Sequence, residues 1–406
     1  MAIQTTVNLD ASVRARYTSD YLDAAMVERL YDQFAFPVPG RPMSELIRGS
    51  AVYLPFLSDM TPGVTAISQT ADVTPQTLRD ATTYITPTSR GEALQCSQQI
   101  LIQAYTDYGA QRAAAVGKNM MESVDLLAME QAVCGDWVER YVARASLDAS
   151  VTAHNASDAI FGDMQAALLS QKVPGFQVPG ERGGGQGSAW GCILHPYTFH
   201  DIRESGNVDS IGTYQQAGIH LNFELGKIGP FRLIVSPWAK TFYGAGIESA
   251  CAANTTLADA AEALATTMVV TASTDLDYGK WLNVCDTVET GSTLYPTNER
   301  VKYVSGTTTV TFIGEGTNGG LRFDHASGAV VSNADSVYTM TFGGPQSIVK
   351  VFAPDVGEYG ELVGPTERGI LKQFIDLGWK WWGGYGLVAQ NRIVRYECSV
   401  SGEHYA

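Results

Sequence analysis

The chain has 406 residues, 45% hydrophobic and 17% charged, with 42 acidic against 27 basic side chains and a formal net charge of −15. That length suffices for two or three domain-sized units, and the composition excludes a disordered, collagen-like or coiled-coil protein. Without a run of Lys/Arg there is no basic face to grip phosphates, which excludes a reader of nucleic-acid sequence. No window approaches the ~18 consecutive apolar residues of a membrane span. The first 30 residues lack the basic start and apolar core of a signal peptide, so export by that route is not expected. The charged fraction lies below the usual figure of about 25%, as expected if other copies of the chain cover part of its surface. The six cysteines (Cys96, Cys134, Cys192, Cys251, Cys285, Cys398) form no CxxC pair and fit reduced, buried thiols better than a disulfide scaffold.

Residues 1–17 are polar and aperiodic, an expected arm. A helix is predicted over 19–34, with Ser19 and Asp20 as caps and Leu22, Met26 and Leu30 on one stripe, stopped by Pro37 and Pro39. Residues 49–96 pattern as an extended β-hairpin with arms at 52–57 and 82–85. A lone two-stranded ribbon is marginal in water, so this one is expected to lie across a partner. The strongest helical signal spans 116–141, where Met120, Met121, Val124, Leu127, Ala128, Cys134 and Val138 form one stripe. There follow a helix over 157–172 with Ser157 as cap, a Pro/Gly-rich loop at 174–187, a buried strand at 190–194, a helix over 196–203 and a strand at 231–235. Between about 246 and 345 the texture changes. After a weakly helical Ala-rich stretch (256–266), short β runs at 268–271, 281–284, 301–304, 308–313 and 337–342 suggest a compact all-β module inserted into an α+β body. In the last run Tyr338, Met340 and Phe342 share one face. A strand at 348–352 and a strand pair around Gly383-Gly384 close the chain.

Chemical motifs are sparse. Gly314-Glu315-Gly316-Thr317-Asn318-Gly319 matches GxGxxG, but Gly320-Leu321-Arg322-Phe323 continues as strand instead of opening the helix that a dinucleotide site needs. Asn318-Gly319 is a favoured hairpin turn. Cys192, His195 and His200 could begin a zinc site, yet no fourth ligand is near and the spacing fits no common finger. His195 or His200 could serve a hydrolase, but there is no G-x-S-x-G elbow and no cysteine in a catalytic setting. Acid pairs such as Asp275/Asp277 and Glu358/Glu361 pattern as solvated turns. The residues nominate no catalytic, cofactor or metal site.

The order of elements is distinctive: polar arm, short helix, long hairpin, very long helix, mixed body and a late strand pair. It resembles the major capsid proteins of tailed phages, the Hong Kong 97-type fold, and more closely the podophage subgroup typified by coliphage N-four. The likeness is carried by the Tyr21-Leu22 region, by Cys192-Ile193-Leu194-His195-Pro196, by the turn into a strand at 224–232 (ELGKIGPFR), and by 377–386 (LGWKWWGGYG) continuing to 392–397 (RIVRYE).

The resemblance implies an α+β chain with an N-terminal arm (1–48), an extended E-loop hairpin (49–96), a peripheral domain with the spine helix (97–150), an axial domain (151–246), an inserted β-rich domain (247–345) and a return to both domains (346–406). It implies a non-enzymatic subunit without cofactor, self-assembling as hexamers and pentamers into the virion shell around double-stranded DNA in the host cytoplasm. A portal protein, a scaffold protein and a decoration protein are the implied partners. Tyr21, Leu22, Tyr53, Phe56 and Tyr84, on the arm and the hairpin, are the expected contacts between subunits. Two alternatives stand beside this reading: the shell protein of an encapsulin-type bacterial nanocompartment, and an unrelated α+β hydrolase.

Overall fold

The computed structural model describes residues 35–37, 52–57, 62–64, 80–99, 108–177, 188–204, 224–245, 255–274, 276–286, 297–345, 347–353, 356–368, 373–387 and 389–404. The helix expected over 19–34 lies outside these. Most described residues fall into two compact units, one from Pro37–Val124 and Val349–Val388, the other from Asp125–Ile348 and Ala389–Ala406.

The first unit is built on the hairpin. Val52–Leu57 pairs antiparallel with Asp80–Ile85, from Val52 opposite Ile85 to Leu57 opposite Asp80. Val52 and Ile85 are seated among Val349, Val351 and Ala353, which roots the hairpin in a small core. The strand after it, Thr88–Ser97, does not prolong the hairpin but pairs with Phe374–Leu387. That partner is a single strand of 14 residues, so the expected turn at Gly383-Gly384 is absent. The glycines there serve close approach: a Cβ on Gly383 would stand 2.6 Å from the Val351 carbonyl oxygen, and one on Gly384 3.3 Å from that of Thr86.

The long helix, α1, is Tyr108–Val133, shifted eight residues towards the N-terminus of the expected 116–141. Val116, Met120, Val124, Ala128 and Ala132 recur every fourth residue and are buried, with Met121, Met129 and Val133 alongside. Leu127 is only half-buried. Gly135 and Asp136 break the helix, and Val138–Arg140 is a strand. The spacing of Cys134 and Val138 extended the helical period by coincidence.

In the second unit a sheet runs in the order Val138–Arg140, Ile393–Cys398, Val337–Gly343, Ser188–Leu194, Phe231–Val235, Glu224–Ile228. Its apolar face receives α2 (Ala159–Ser170) and α3 (Pro196–Glu204, proline in the first turn). Asp158, not Ser157, occupies the cap position of α2. Tyr338, Met340 and Phe342 do share one face, and Phe161, Phe231 and Phe342 meet edge-to-face with centroids 5.2–5.7 Å apart.

The opposite face carries charge. Glu397 is fully buried; Arg144 binds both its oxygens at 2.6 and 2.9 Å, Arg395 lies at 2.9 Å and Arg140 at 3.4 Å. Burial alone would raise the Glu397 carboxyl, but these guanidiniums reverse that and hold it below the usual range. Arg395 also donates to the Val133 carbonyl at the end of α1, a cation at the negative pole of the helix.

The inserted module is a six-stranded antiparallel sheet, Thr255–Thr256, Val330–Ser332, Trp281–Cys285, Glu299–Gly306, Thr309–Gly314, Thr267–Val269. Its two outer strands also meet: Leu257 bridges Val270, and the Ala258 and Thr271 amides donate to the Val269 and Thr256 carbonyls at 2.8 and 2.9 Å. The sheet therefore closes into a small barrel around Leu257, Met268, Leu282, Val301, Phe312 and Val331. Two expectations change. The Ala-rich stretch is not helical, because Leu257 and Ala261 are bridged to Val270 and His325. The strand at 337–343 lies in the first sheet of this unit, between Ile393–Cys398 and Ser188–Leu194, so the β-rich module of 247–345 must surrender it; alternation specifies a buried face but not which sheet supplies it. His325 joins the barrel internally, its Nδ1 3.1 Å from Asp286 and its Nε2 2.9 Å from Glu299. Burial would lower its pKa, yet the bonds and charges of Glu299 and Asp286 outweigh burial and raise it.

Two outcomes follow from these buried charges. Glu397→Gln leaves three guanidiniums without a counter-charge and should destabilise the second unit by about 3–5 kcal/mol, read by denaturant unfolding. The folded state holds the His325 proton more tightly than the unfolded chain. Its contribution is thus complete below the ordinary histidine range and is lost as pH rises through and above it. The melting-temperature gap between wild type and His325→Gln should narrow from pH 6 to pH 9; a constant gap would refute this assignment.

Candidate assembly surface

Thr88–Ser97, Phe374–Leu387 and Glu361–Arg368 form an antiparallel ribbon. Thr88–Ser97 pairs without a slip, Thr88 opposite Gly383 and Ser97 opposite Phe374. Glu361–Arg368 shifts register around Val363 and Thr366. The ribbon is anchored from α1: Trp379 Nε1 donates to Asn119 Oδ1 at 2.8 Å, and Arg112 donates to Cys96 Sγ and to the Leu94 carbonyl. Trp381 is buried and donates to the Glu358 carbonyl at 3.1 Å.

Beyond these anchors the ribbon is open. Every residue from 88 to 95 is exposed and none from 361 to 368 is buried. Successive side chains of a strand point to opposite faces, so both faces of the strand are open from 88 to 95, while Glu361–Arg368 mixes exposed with half-buried positions. Leu94 and Phe374 are 41% and 43% exposed, Val363 similarly. Among the described residues no strand pairs with the outer edge of either flanking strand, and an unpaired strand edge invites another chain. A groove of about 320 Å³ runs along it, lined by Ala93, Val363, Leu377 and Trp379. Glycines hold the strands close there: a Cβ on Gly378 would stand 2.7 Å from the Glu92 carbonyl oxygen. Its charged contacts, such as Lys380–Glu361 at 3.1 Å, are exposed and contribute little.

Of the expected contact residues, Tyr21 and Leu22 lie outside the described residues. Tyr53 stands directly opposite Tyr84 in the hairpin and Phe56 opposite Ala81; the side chains of Tyr53 and Phe56 lie outside the described residues. Tyr84 is 66% exposed. The open apolar positions Leu94, Val363 and Phe374 escaped sequence reading, although the alternation of Phe374, Asp376 and Lys380 with Ile375, Leu377 and Trp379 was visible.

Cys192 is buried and burial raises its thiol pKa, which suppresses the thiolate. His195 Nδ1 accepts the Tyr197 amide at 3.3 Å, and burial together with Arg300 lowers its pKa to about 3. His200 is exposed, 3.5 Å from Asp201 and 3.7 Å from Glu204. Among the described residues no group of three or more His, Cys, Asp or Glu could hold a metal ion. After Gly314 the chain makes a tight turn with Asn318 at φ 59°, and no helix follows to meet a phosphate.

Gly378→Ala should loosen the pairing of Thr88–Ser97, because the added methyl meets backbone. A loss of about 1–3 kcal/mol and faster proteolysis within 88–97 are the expected readouts; unchanged cleavage would contradict the close approach.

No family model and no curated protein matches the chain. Among solved structures it is similar to the capsid of Ralstonia phage GP4, at 11% identity over 87% of this chain and 84% of that one, with a TM-score of 0.53. It is also similar to the head structure of Helicobacter pylori bacteriophage KHP40, at 9% identity over 98% and 95% of the two chains, with a TM-score of 0.50. At such identities the likeness is one of architecture: the chain has the α+β, Hong Kong 97-type fold of phage capsids, with a β-barrel set into it.

Proposed function

We propose that the chain is the major capsid protein of a tailed double-stranded DNA phage, of the N-four-like podophage subgroup, assembling through hexamers and pentamers into the head. The carrying observation is the open ribbon: apolar side chains and two strand edges that the described residues leave uncovered. Repeated heterologous contacts between identical copies cover such a surface and close into rings and shells. Obligate interfaces of this kind bury on the order of 2,000 Å² or more. The hairpin (the E-loop, 49–96), with Tyr53, Phe56 and Tyr84, and the arm (1–48), with Tyr21 and Leu22, supply the reaching elements in this reading. The net charge of −15 suits a wall that encloses DNA without adhering to it. The role is structural, without catalysis; a portal protein, a scaffold protein and a decoration protein are its partners, and assembly takes place in the host cytoplasm.

Electron microscopy of the expressed chain tests this reading. Shells, tubes or sheets are expected, and Leu94→Asp with Phe374→Asp should leave circular dichroism unchanged while raising the concentration needed for assembly at least tenfold. A monodisperse single subunit at high concentration refutes the proposal. Co-purification of a cargo enzyme inside small cages would transfer it to the nanocompartment alternative.

A further inference from the structure

The second unit contains a cleft of about 560 Å³ between its inserted barrel and its first sheet, lined by His195, Tyr197, Pro237, Leu264, Glu315 and Arg322 among others. Its size is that of a ligand pocket, roughly 300–1,000 Å³, and it is not part of the open ribbon. Its features are those of a receptor for a negative group beside an apolar one.

The positive element is Arg322. Its backbone amide is fixed by both oxygens of Glu299, at 3.0 and 2.9 Å, and its guanidinium lies over the Trp238 ring at 3.9 Å. No described carboxylate pairs with that guanidinium, so its planar donor fork is oriented yet unspent. The acid of the lining, Glu315, is already held by Arg300 at 3.0 Å. Burial and the Arg300 charge keep His195 neutral across ordinary pH, and with its Nδ1 accepting the Tyr197 amide the ring proton is left to Nε2. It adds a donor without adding a charge.

The apolar element is Leu264. It is 62% exposed and has φ +70°, a conformation that L side chains avoid. Two backbone bonds hold it there, the Leu264 amide to the Leu321 carbonyl and the Leu321 amide to the Ala265 carbonyl, both 2.8 Å. Gly320 lies flush against it, since a Cβ there would stand 2.8 Å from the Leu264 Cα. A leucine locked in a disfavoured backbone and presented to water is costly unless something covers it.

We propose that this cleft is a self-association site: it receives a carboxylate-bearing segment of a second copy of the chain, the carboxylate on Arg322 and a neighbouring apolar side chain over Leu264. Charge selects the occupant. A chain with 42 acids against 27 bases is itself a rich source of carboxylates for an unpaired cation, and Leu264 requires an apolar neighbour that a phosphate group cannot supply. The inference rests on the shell-forming reading and adds to the ribbon a second kind of contact, made by the insertion.

The test uses the full-length chain and its assembled particles. Arg322→Gln and, separately, Leu264→Ser should fold with melting temperatures within a few degrees of wild type. Each should raise the assembly concentration about tenfold or more. Arg322→Lys should not restore assembly, because an ammonium cannot replace the stacked, bidentate fork. Wild-type assembly should weaken with added salt more steeply than that of Arg322→Gln. Unchanged assembly thresholds in both variants overturn the proposal, as does loss of a separate co-purifying protein with particle stability intact. If wild type itself does not assemble, the shell reading fails first; if wild type assembles and the variants match it, only this inference fails.

Discussion

A β-strand that is bare where it begins and buried further along governs this molecule. Phe374–Leu387 is tied to α1 through Trp379 and buried at Trp381, while Thr88–Ser97 beside it exposes nearly every side chain and Glu361–Arg368 buries none fully. Backbone hydrogen bonds and a few side-chain anchors hold such a ribbon together, and each backbone bond is worth only about 1 kcal/mol net. The small core at Val52, Ile85, Val349 and Val351 roots the neighbouring hairpin but cannot also cover the ribbon.

The second unit solves its own burial problem. Its sheet has one apolar face under two helices, and one charged face where three arginines share a single buried carboxylate. Arg395 joins that cluster to the end of α1 through the Val133 carbonyl. The inserted barrel adds a separate core and, by closing, leaves none of its sheet edges open. One chain thus holds both strategies: edges withdrawn in the insertion, edges presented in the ribbon.

How much of this was legible in the sequence depended on distance along the chain. Local periodicity gave α1, though its C-terminal boundary was misplaced because Val138 continued the spacing into a strand. Alternation gave the shared face of Tyr338, Met340 and Phe342, but not the sheet it belongs to. The Gly383-Gly384 pair looked like a turn; only the neighbouring carbonyls of Val351 and Thr86 reveal that those glycines make room. The bonds that organise the ribbon and the charged face join residues more than 250 positions apart, Asn119 to Trp379 and Arg144 to Glu397. No window of sequence contains both ends. The cleft was equally hidden, since Arg322 was noticed only as part of a run that argued against a phosphate loop.

The barrel enters and leaves the body through adjoining strands, with Thr255 opposite Val331 and Thr256 opposite Val330. A module whose two ends depart side by side makes little demand on its host beyond that narrow gap. Such a junction accepts a larger, smaller or unrelated module with equal ease, which makes it the natural doorway for variation in length at this point of the chain and for grafting foreign sequences onto it.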